Sequence, residues 1–333
     1  MRRVLNIVIL VGLVWSGYWY AAGWGLRSSV SGWFAAQQAR GWQADYADIS
    51  TSGYPARHVT LIESPALADP ATGAAWQADW LMLDSPAIWP GHQTVRFPAT
   101  PQRLSHFDRT LVVATEDMRA DLRLAPGIEL VLEQLSLASG PWSVAEDGAA
   151  VMVASDLGLS MIQADSPETY DIEITADDFS PGARLRRLLA SSADLPQSFE
   201  TLELKAQVQF DTRWDRAALE RRRPQPVSIA LDLAEMRWGA LHVYATGALS
   251  VDAEGVPTGA IALKAENWRE MLAMAEAAGA LPPQAIAPAE RMLGMLAGLG
   301  GNSRALDVQL NFRDGYVALG PVPLGPAPRL ILR

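Results

Sequence analysis

Leu202-Glu203-Leu204-Lys205-Ala206-Gln207-Val208-Gln209-Phe210 sets an apolar side chain at every second position and a polar one between. Successive side chains on a strand point to opposite sides, so a period of two marks a strand with one buried and one wet face. The pattern recurs on both sides of this stretch. Upstream, Ile172 and Ile174 alternate with Asp171, Glu173 and Thr175; downstream, Leu306, Val308, Leu310 and Phe312 alternate with Asp307, Gln309 and Asn311. Such alternation favours antiparallel meanders over parallel βαβ units, whose strands are buried on both faces. Turn signals fall between strands at Ala125-Pro126-Gly127, Ser139-Gly140-Pro141, Glu146-Asp147-Gly148, Ala253-Glu254-Gly255 and Asp314-Gly315. Asp314-Gly315, between two apolar runs, is the plainest hairpin.

Helices are few. Ser180 as cap and Pro181 at the first position predict one carrying Leu185, Leu188 and Leu189. Arg213 to Arg223 reads as a short basic helical excursion. Asn267 caps a helix with Met271, Leu272, Met274 and Ala275 on its apolar face, ended by Gly279. After Pro282-Pro283 a second carries Ile286, Ala289, Met292, Leu293 and Leu296 and stops at Gly298, Gly300 and Gly301. The spacing thus predicts a helical hairpin over 267–299.

Width then constrains the fold. The body reads as about 15–18 strands, and open twisted sheets rarely exceed about 10 without curling, splitting or flattening. So few helices cannot hide that apolar face. The expectation is a mainly β chain with one large curled antiparallel sheet that closes on itself. It is either a flattened sandwich with a dry core or a trough with room for an acyl chain.

The chain starts Met1-Arg2-Arg3, then runs without charge from Val4 to Leu26. As a helix that stretch rises about 34 Å, enough for a hydrocarbon core of about 30 Å. Val4, Leu10 and Leu13 stand for its lipid-facing part. Trp15 and Trp19, with Tyr18, Tyr20 and Trp24, cluster at the far end, where amphipathic rings favour headgroups. Arg2 and Arg3 keep the start in the cytoplasm by the positive-inside rule. A cleaved signal peptide also has a basic start and a short apolar core, but large aromatics crowd the place of cleavage. Residues 1–26 are therefore expected to be an uncleaved anchor. Val30, Trp33, Phe34 and Gln37 place an amphipathic linker helix over 27–42, and the β-rich body is expected over 43–333.

Composition narrows the chemistry. Of 333 residues 49% are apolar, enough for a sizeable core. The net charge of −10, from 37 acids and 27 bases, argues against nucleic-acid binding, which needs cations to displace counterions. There are no cysteines, so disulfides, thiolate metal sites and thiol nucleophiles are excluded. His58, His92, His106 and His242 are isolated, without the paired spacing of a metal site. No nucleophile elbow, phosphate loop or dinucleotide fingerprint occurs; Gly298 to Gly301 follows a helix and reads as its stop. Glu116-Asp117 and Asp177-Asp178 sit where turns are expected, and neighbours on a strand point apart, so neither makes an acid–base pair. Two features have functional interest. Gly53-Tyr54-Pro55 fixes a turn, and Arg213, Arg216, Arg221, Arg222 and Arg223, with Arg184, Arg186 and Arg187, form a candidate basic patch for anionic headgroups.

Trp33, Gly41-Trp42 and Ser52-Gly53-Tyr54-Pro55 after the anchor, Gly247 to Gly259 with Pro257, Asn267-Trp268, and the closing Phe312 to Pro323 resemble an uncharacterised DUF2125-type family of single-anchor Gram-negative envelope proteins. More distantly the layout is similar to AsmA-like envelope proteins. That resemblance implies long curled sheets and a link to phospholipid traffic. It implies no site residues.

The expected protein is a non-enzymatic, single-pass inner-membrane protein with its body in the periplasm and no cofactor. Its partners are the lipid bilayer and either a bound phospholipid in an apolar β-groove or another envelope protein. The latter would dock on a sheet edge or the helix pair, in the role of a scaffold or adaptor.

Overall fold

The apolar start and the segment after it form one unbroken helix, α1 (Arg2–Ala39), in the computed structural model. The structure describes every residue except 183–194, 221, 278–282, 300–301, 320–321 and 333. The expected boundary between residues 26 and 27 lies inside α1. Contacts divide the chain into two compact units: Met1–Leu124 with Val144–Gly148, and Ala125–Ser143 with Ala149–Arg333.

In the first unit α1 is followed by β1 (Gln43–Asp45), β2 (Asp48–Ser52), β3 (Arg57–Glu63), β4 (Ala66–Asp69) and β5 (Ala74–Gln77). Then come β6 (Trp80–Pro86), β7 (His92–Arg96), β8 (Gln102–His106), β9 (Arg109–Thr115) and β10 (Arg119–Leu124). They make two antiparallel layers, ordered β2-β3-β6-β7-β10 and β1-β4-β5-β8-β9. The chain passes repeatedly from one layer to the other. Ser64 and Asp117 take positive φ (49° and 52°) at two such corners. Short polar side chains tolerate that region better than branched ones, which explains why Glu116-Asp117 is a corner.

Val30 and Phe34, one helical turn apart on α1, pack on Ala44, Ile49, Ile62, Leu81 and Leu83. Each fully buried side chain of this size contributes about 1.5–3 kcal/mol.

The second unit holds β11 (Leu132–Ser139), β13 (Ala149–Ala154), β14 (Leu157–Gln163), β15 (Thr169–Ala176), β16 (Ser180–Pro181) and β17 (Thr201–Phe210). After a single turn of helix, α2 (Arg216–Glu220), come the long strands β18 (Pro226–Trp238), β19 (Leu241–Val251) and β20 (Pro257–Glu266). The helix pair α3 (Trp268–Ala277) and α4 (Pro283–Leu299) precedes β21 (Ala305–Arg313), β22 (Tyr316–Leu319) and β23 (Val322–Pro326). Strand β12 (Trp142–Glu146) spans the sequence boundary between the units. The main order is β11-β14-β15-β17-β18-β19-β20-β21-β22-β23, all antiparallel where pairs are resolved, and β13 pairs with β16. Asp314 and Gly315 both take positive φ (53° and 76°) and join Arg313 to its partner Tyr316. This is the two-residue turn whose twist matches flanking strands.

Strands take 49% of the residues, which makes the chain mainly β with large antiparallel sheets and few helices. Three expectations need correction. The sheets do not close on themselves. Width did not force closure because α1 covers part of the first unit's apolar face and α3 with α4 covers one end of the second's. Twenty-three strands are present among the described residues, five of them four residues or shorter. A period-two reading needs about 4–8 residues and passes over such pieces. Finally, Ser180-Pro181 is no helix start: it is the strand β16, with Val153↔Ser180 and Met152↔Pro181 in register. Leu185, Leu188 and Leu189 lie outside the described residues, as do Gly279, Gly300 and Gly301. Gly298 lies inside α4 rather than ending it.

Candidate functional site

The pairing register of the second unit aligns its apolar positions into rows that run across the strands. One row joins Leu137, Leu159, Ile174, Leu204, Ala234, Ala245, Leu263 and Val308, from β11 to β21. Two residues along each strand, and three along β18, a flanking row joins Leu135, Met161, Ile172, Ala206, Leu231, Gly247, Ile261 and Leu310. On the other flank run Ala176, Leu202, Met236, Val243, Ala265 and Leu306. The opposite face is polar: Lys205 pairs there with Glu173 at 3.3 Å and Glu203 at 2.5 Å, and Gln207 donates to Asp171 at 2.9 Å. A bulge between Leu231 and Ala234 absorbs the phase change in β18.

Cover over this face is uneven. At one end Trp268, Ala297, Ala265 and Leu306 form a core with Leu293 and Leu296 of α4. Beside it Phe199 stacks on Trp238 at 4.4 Å and packs with Leu241 and Met274. The first flanking row has Met161, Ala206 and Ile261 buried. Beyond it Tyr170 is fully buried, its hydroxyl donating to the Leu132 carbonyl at 2.8 Å. Burial pushes the Tyr170 phenol above its usual value. No member of the central row is fully buried: seven of its eight positions are half-buried, Val308 among them against the Trp268 core, and Ile174 is 37% exposed. Seven inter-strand steps of about 4.8 Å make the row about 34 Å long. That is about twice the depth of one leaflet in a core about 30 Å thick. Chemically it offers dispersion contacts and water exclusion, and no polar group.

Gly247 of the first flanking row and Gly259, two residues before Ile261 on the adjacent strand, have φ of 157° and 145°. A Cβ at Gly247 would stand 2.3 Å from the Ala260 carbonyl oxygen, and one at Gly259 2.2 Å from that of Ala248. The glycines of the 247–259 motif are therefore set by close approach of two backbones.

The first unit carries a half-open hollow of about 300 Å³ over β1, β4, β5, β8 and β9. Its floor includes Ala66, Ala68 and Ala75, with Asp45 and Arg103 among its lining. No acid–base or nucleophile arrangement meets there among the described residues.

The anchor residues divide. Val4, Leu10 and Leu13 are exposed along the start of α1. Trp15 is half-buried, and its Nε1 donates to the Pro55 carbonyl at 3.1 Å. Trp19 is 5% exposed, stacks on His58 and donates to the Arg57 carbonyl at 2.8 Å. Its ring meets protein, so Trp19 is not a lipid-facing member of the anchor. An indole buries an apolar body and satisfies one N–H equally well against a sheet. The Gly53-Tyr54-Pro55 turn makes part of this contact, and the Tyr54 hydroxyl meets the Ser16 hydroxyl at 2.9 Å.

Two arginines of the candidate basic patch are held in ion pairs. Arg213 pairs with Glu129 at 3.2 Å and Arg222 with Asp211. Arg216 opens α2, its backbone N–H on the Glu129 carbonyl. Arg223 is exposed; Arg221, Arg184, Arg186 and Arg187 lie outside the described residues. Asp177 and Asp178 mark another corner, Asp178 at φ 50°. His242 meets Glu235 at 2.7 Å, His92 lies edge-on to Trp89, and His106 lies against Phe107. Among the described residues no three His, Asp or Glu side chains converge as metal ligands would.

These features define a class: a β-rich body carried on one N-terminal helix, with an 18-residue window of mean hydropathy 1.6, long and apolar enough to cross a membrane. The chain belongs to the family described as uncharacterized protein conserved in bacteria (DUF2125), whose model matches residues 19–328. A comparison with curated proteins found no match.

Proposed function

We propose that this is a non-enzymatic, single-pass protein of the bacterial inner membrane whose periplasmic body binds phospholipid acyl chains. They lie along the central row of the second unit's sheet. One observation carries the reading: a continuous strip of eight apolar positions runs across the sheet with none fully buried, and Ile174 within it is 37% exposed. Leaving such a strip in water costs about 25 cal/mol per Å², and monomeric proteins rarely expose large contiguous apolar patches without a use for them. An acyl chain satisfies it without any polar partner.

The second reading is an adaptor. Sheet-edge docking on β23 is disfavoured by Pro323 and Pro326, which lack the N–H that strand addition needs. Met295, exposed on α4, favours the helix pair as the docking surface instead. Native mass spectrometry of the full chain in mild detergent separates the two. The lipid reading expects phospholipid-mass adducts that outlast detergent removal. An empty chain, together with one dominant protein partner in cellular crosslinking, overturns it.

A further inference from the structure

The far part of α1 is bound to the first unit, and those bonds fix how far the unit stands from the start of the helix. Trp15 reaches the Pro55 carbonyl, Ser16 the Tyr54 hydroxyl, Tyr18 the Ala87 carbonyl at 2.7 Å, and Trp19 the Arg57 carbonyl. Gly23 is buried in the same contact, beside the Thr51 and His58 side chains. From Trp15 onward, protein lies beside the helix.

The free stretch, Arg2 to Val14, rises about 20 Å at about 1.5 Å per residue. A hydrocarbon core is about 30 Å thick, so about 10 Å must come from the next seven or so residues. Those are the residues to which the turn after β2 and the segment after β6 are bonded. Tilting worsens the shortfall, because a tilted helix covers less thickness per residue.

What those segments present fits lipid. Tyr54 is 51% exposed, Ile88 67% and Trp89 60%. Tyr20 and Trp24 are exposed on α1 itself. Arg57, near this level, is paired with Asp84 at 2.6 Å and so brings no isolated charge. Aromatic rings with a polar edge favour the boundary between hydrocarbon and headgroups.

We infer that residues 53–56 and 87–91 form a collar inserted into the same bilayer that α1 crosses, on the body's side, seating the first unit on the membrane. This rests on α1 being a membrane-spanning helix.

The chain has no cysteine, so each single-cysteine variant of the full chain carries one fluorophore. Leu10→Cys, Ile88→Cys, Trp89→Cys and Phe107→Cys are labelled and reconstituted in phosphatidylcholine–phosphatidylglycerol vesicles, with and without brominated acyl chains. Phe107 is 72% exposed, on the other layer of the first unit. The collar requires loss of emission at positions 10, 88 and 89 and unchanged emission at 107. Quenching at 10 alone overturns the collar and leaves the membrane-spanning helix standing. No quenching at 10 overturns both. Equal quenching at 107 and 88 overturns the collar too, since the contact would then not be local.

Discussion

Trp19 stacks on His58 with ring centroids 5.0 Å apart and planes 17° from parallel, and the His58 ring nitrogen Nε2 lies 3.1 Å from the Trp19 carbonyl. An apolar helix is thereby locked onto the strand β3. The two residues are 39 apart in sequence.

Replacing that indole should separate anchoring from docking. Trp19→Ala removes a buried ring and the partner of a buried imidazole, and large-to-small changes of this kind cost about 3–5 kcal/mol. The variant should still fractionate with membranes, because Val4 to Val14 is untouched, while urea unfolds its first unit at lower concentration. Retained stability with loss of membrane association would mean that Trp19 serves the bilayer instead.

Gly247→Ala and Gly259→Ala should each destabilise the second unit. Both φ values lie where side chains are rarely found, and the new methyl would overlap a carbonyl oxygen. Strain of this type costs about 1–3 kcal/mol per residue before the clash is counted. Gly298→Ala is the control. Nothing lies within 4 Å of a Cβ there, and in the last turn of α4 the change should move stability by no more than about 0.5 kcal/mol. Thermal unfolding of the three variants checks the order.

The strands were legible because alternation in β17 and β21 records which side chains face the core, and Asp314-Gly315 states its turn outright. The rows of the candidate site were not. Alternation gives the face of each strand, but only pairing register puts Ile174 opposite Leu204 and Leu204 opposite Ala234. The bulge between Leu231 and Ala234 shifts the phase in mid-strand. Trp19 misled for a chemical reason: a ring that suits a headgroup layer also suits a sheet carrying His58 and an open carbonyl. Short pieces such as β16 owe their pairing to β13, and two residues carry no periodicity of their own.

The lipid reading makes a demand on charge. Ile174→Asp puts a carboxylate on the half-exposed central row, where water still reaches it, so stability should fall by no more than about 1–2 kcal/mol. Bound phospholipid, measured by extraction from the purified full chain, should drop several-fold. Met161→Asp buries the same charge and should unfold the unit, since an unpaired buried carboxylate costs far more. Wild-type lipid content in a folded Ile174→Asp chain would remove the central row from consideration.

Tyr170 predicts a specific alkaline weakness. Its phenol is held above the usual value of about 10 mainly by burial. Below that pH both folded and unfolded chains keep the proton, and stability does not depend on it. As pH rises past about 10 the unfolded chain releases the proton first, so stability falls with a slope of about one proton. Tyr170→Phe deletes this contribution while losing a hydrogen bond worth about 1 kcal/mol. The Leu132 carbonyl keeps the Gln163 amide at 3.4 Å, which places the loss at the lower end. Urea midpoints between pH 8 and pH 11 should therefore start lower for the variant and converge on the wild type as pH rises. Parallel curves would mean that the phenol titrates alike in both states.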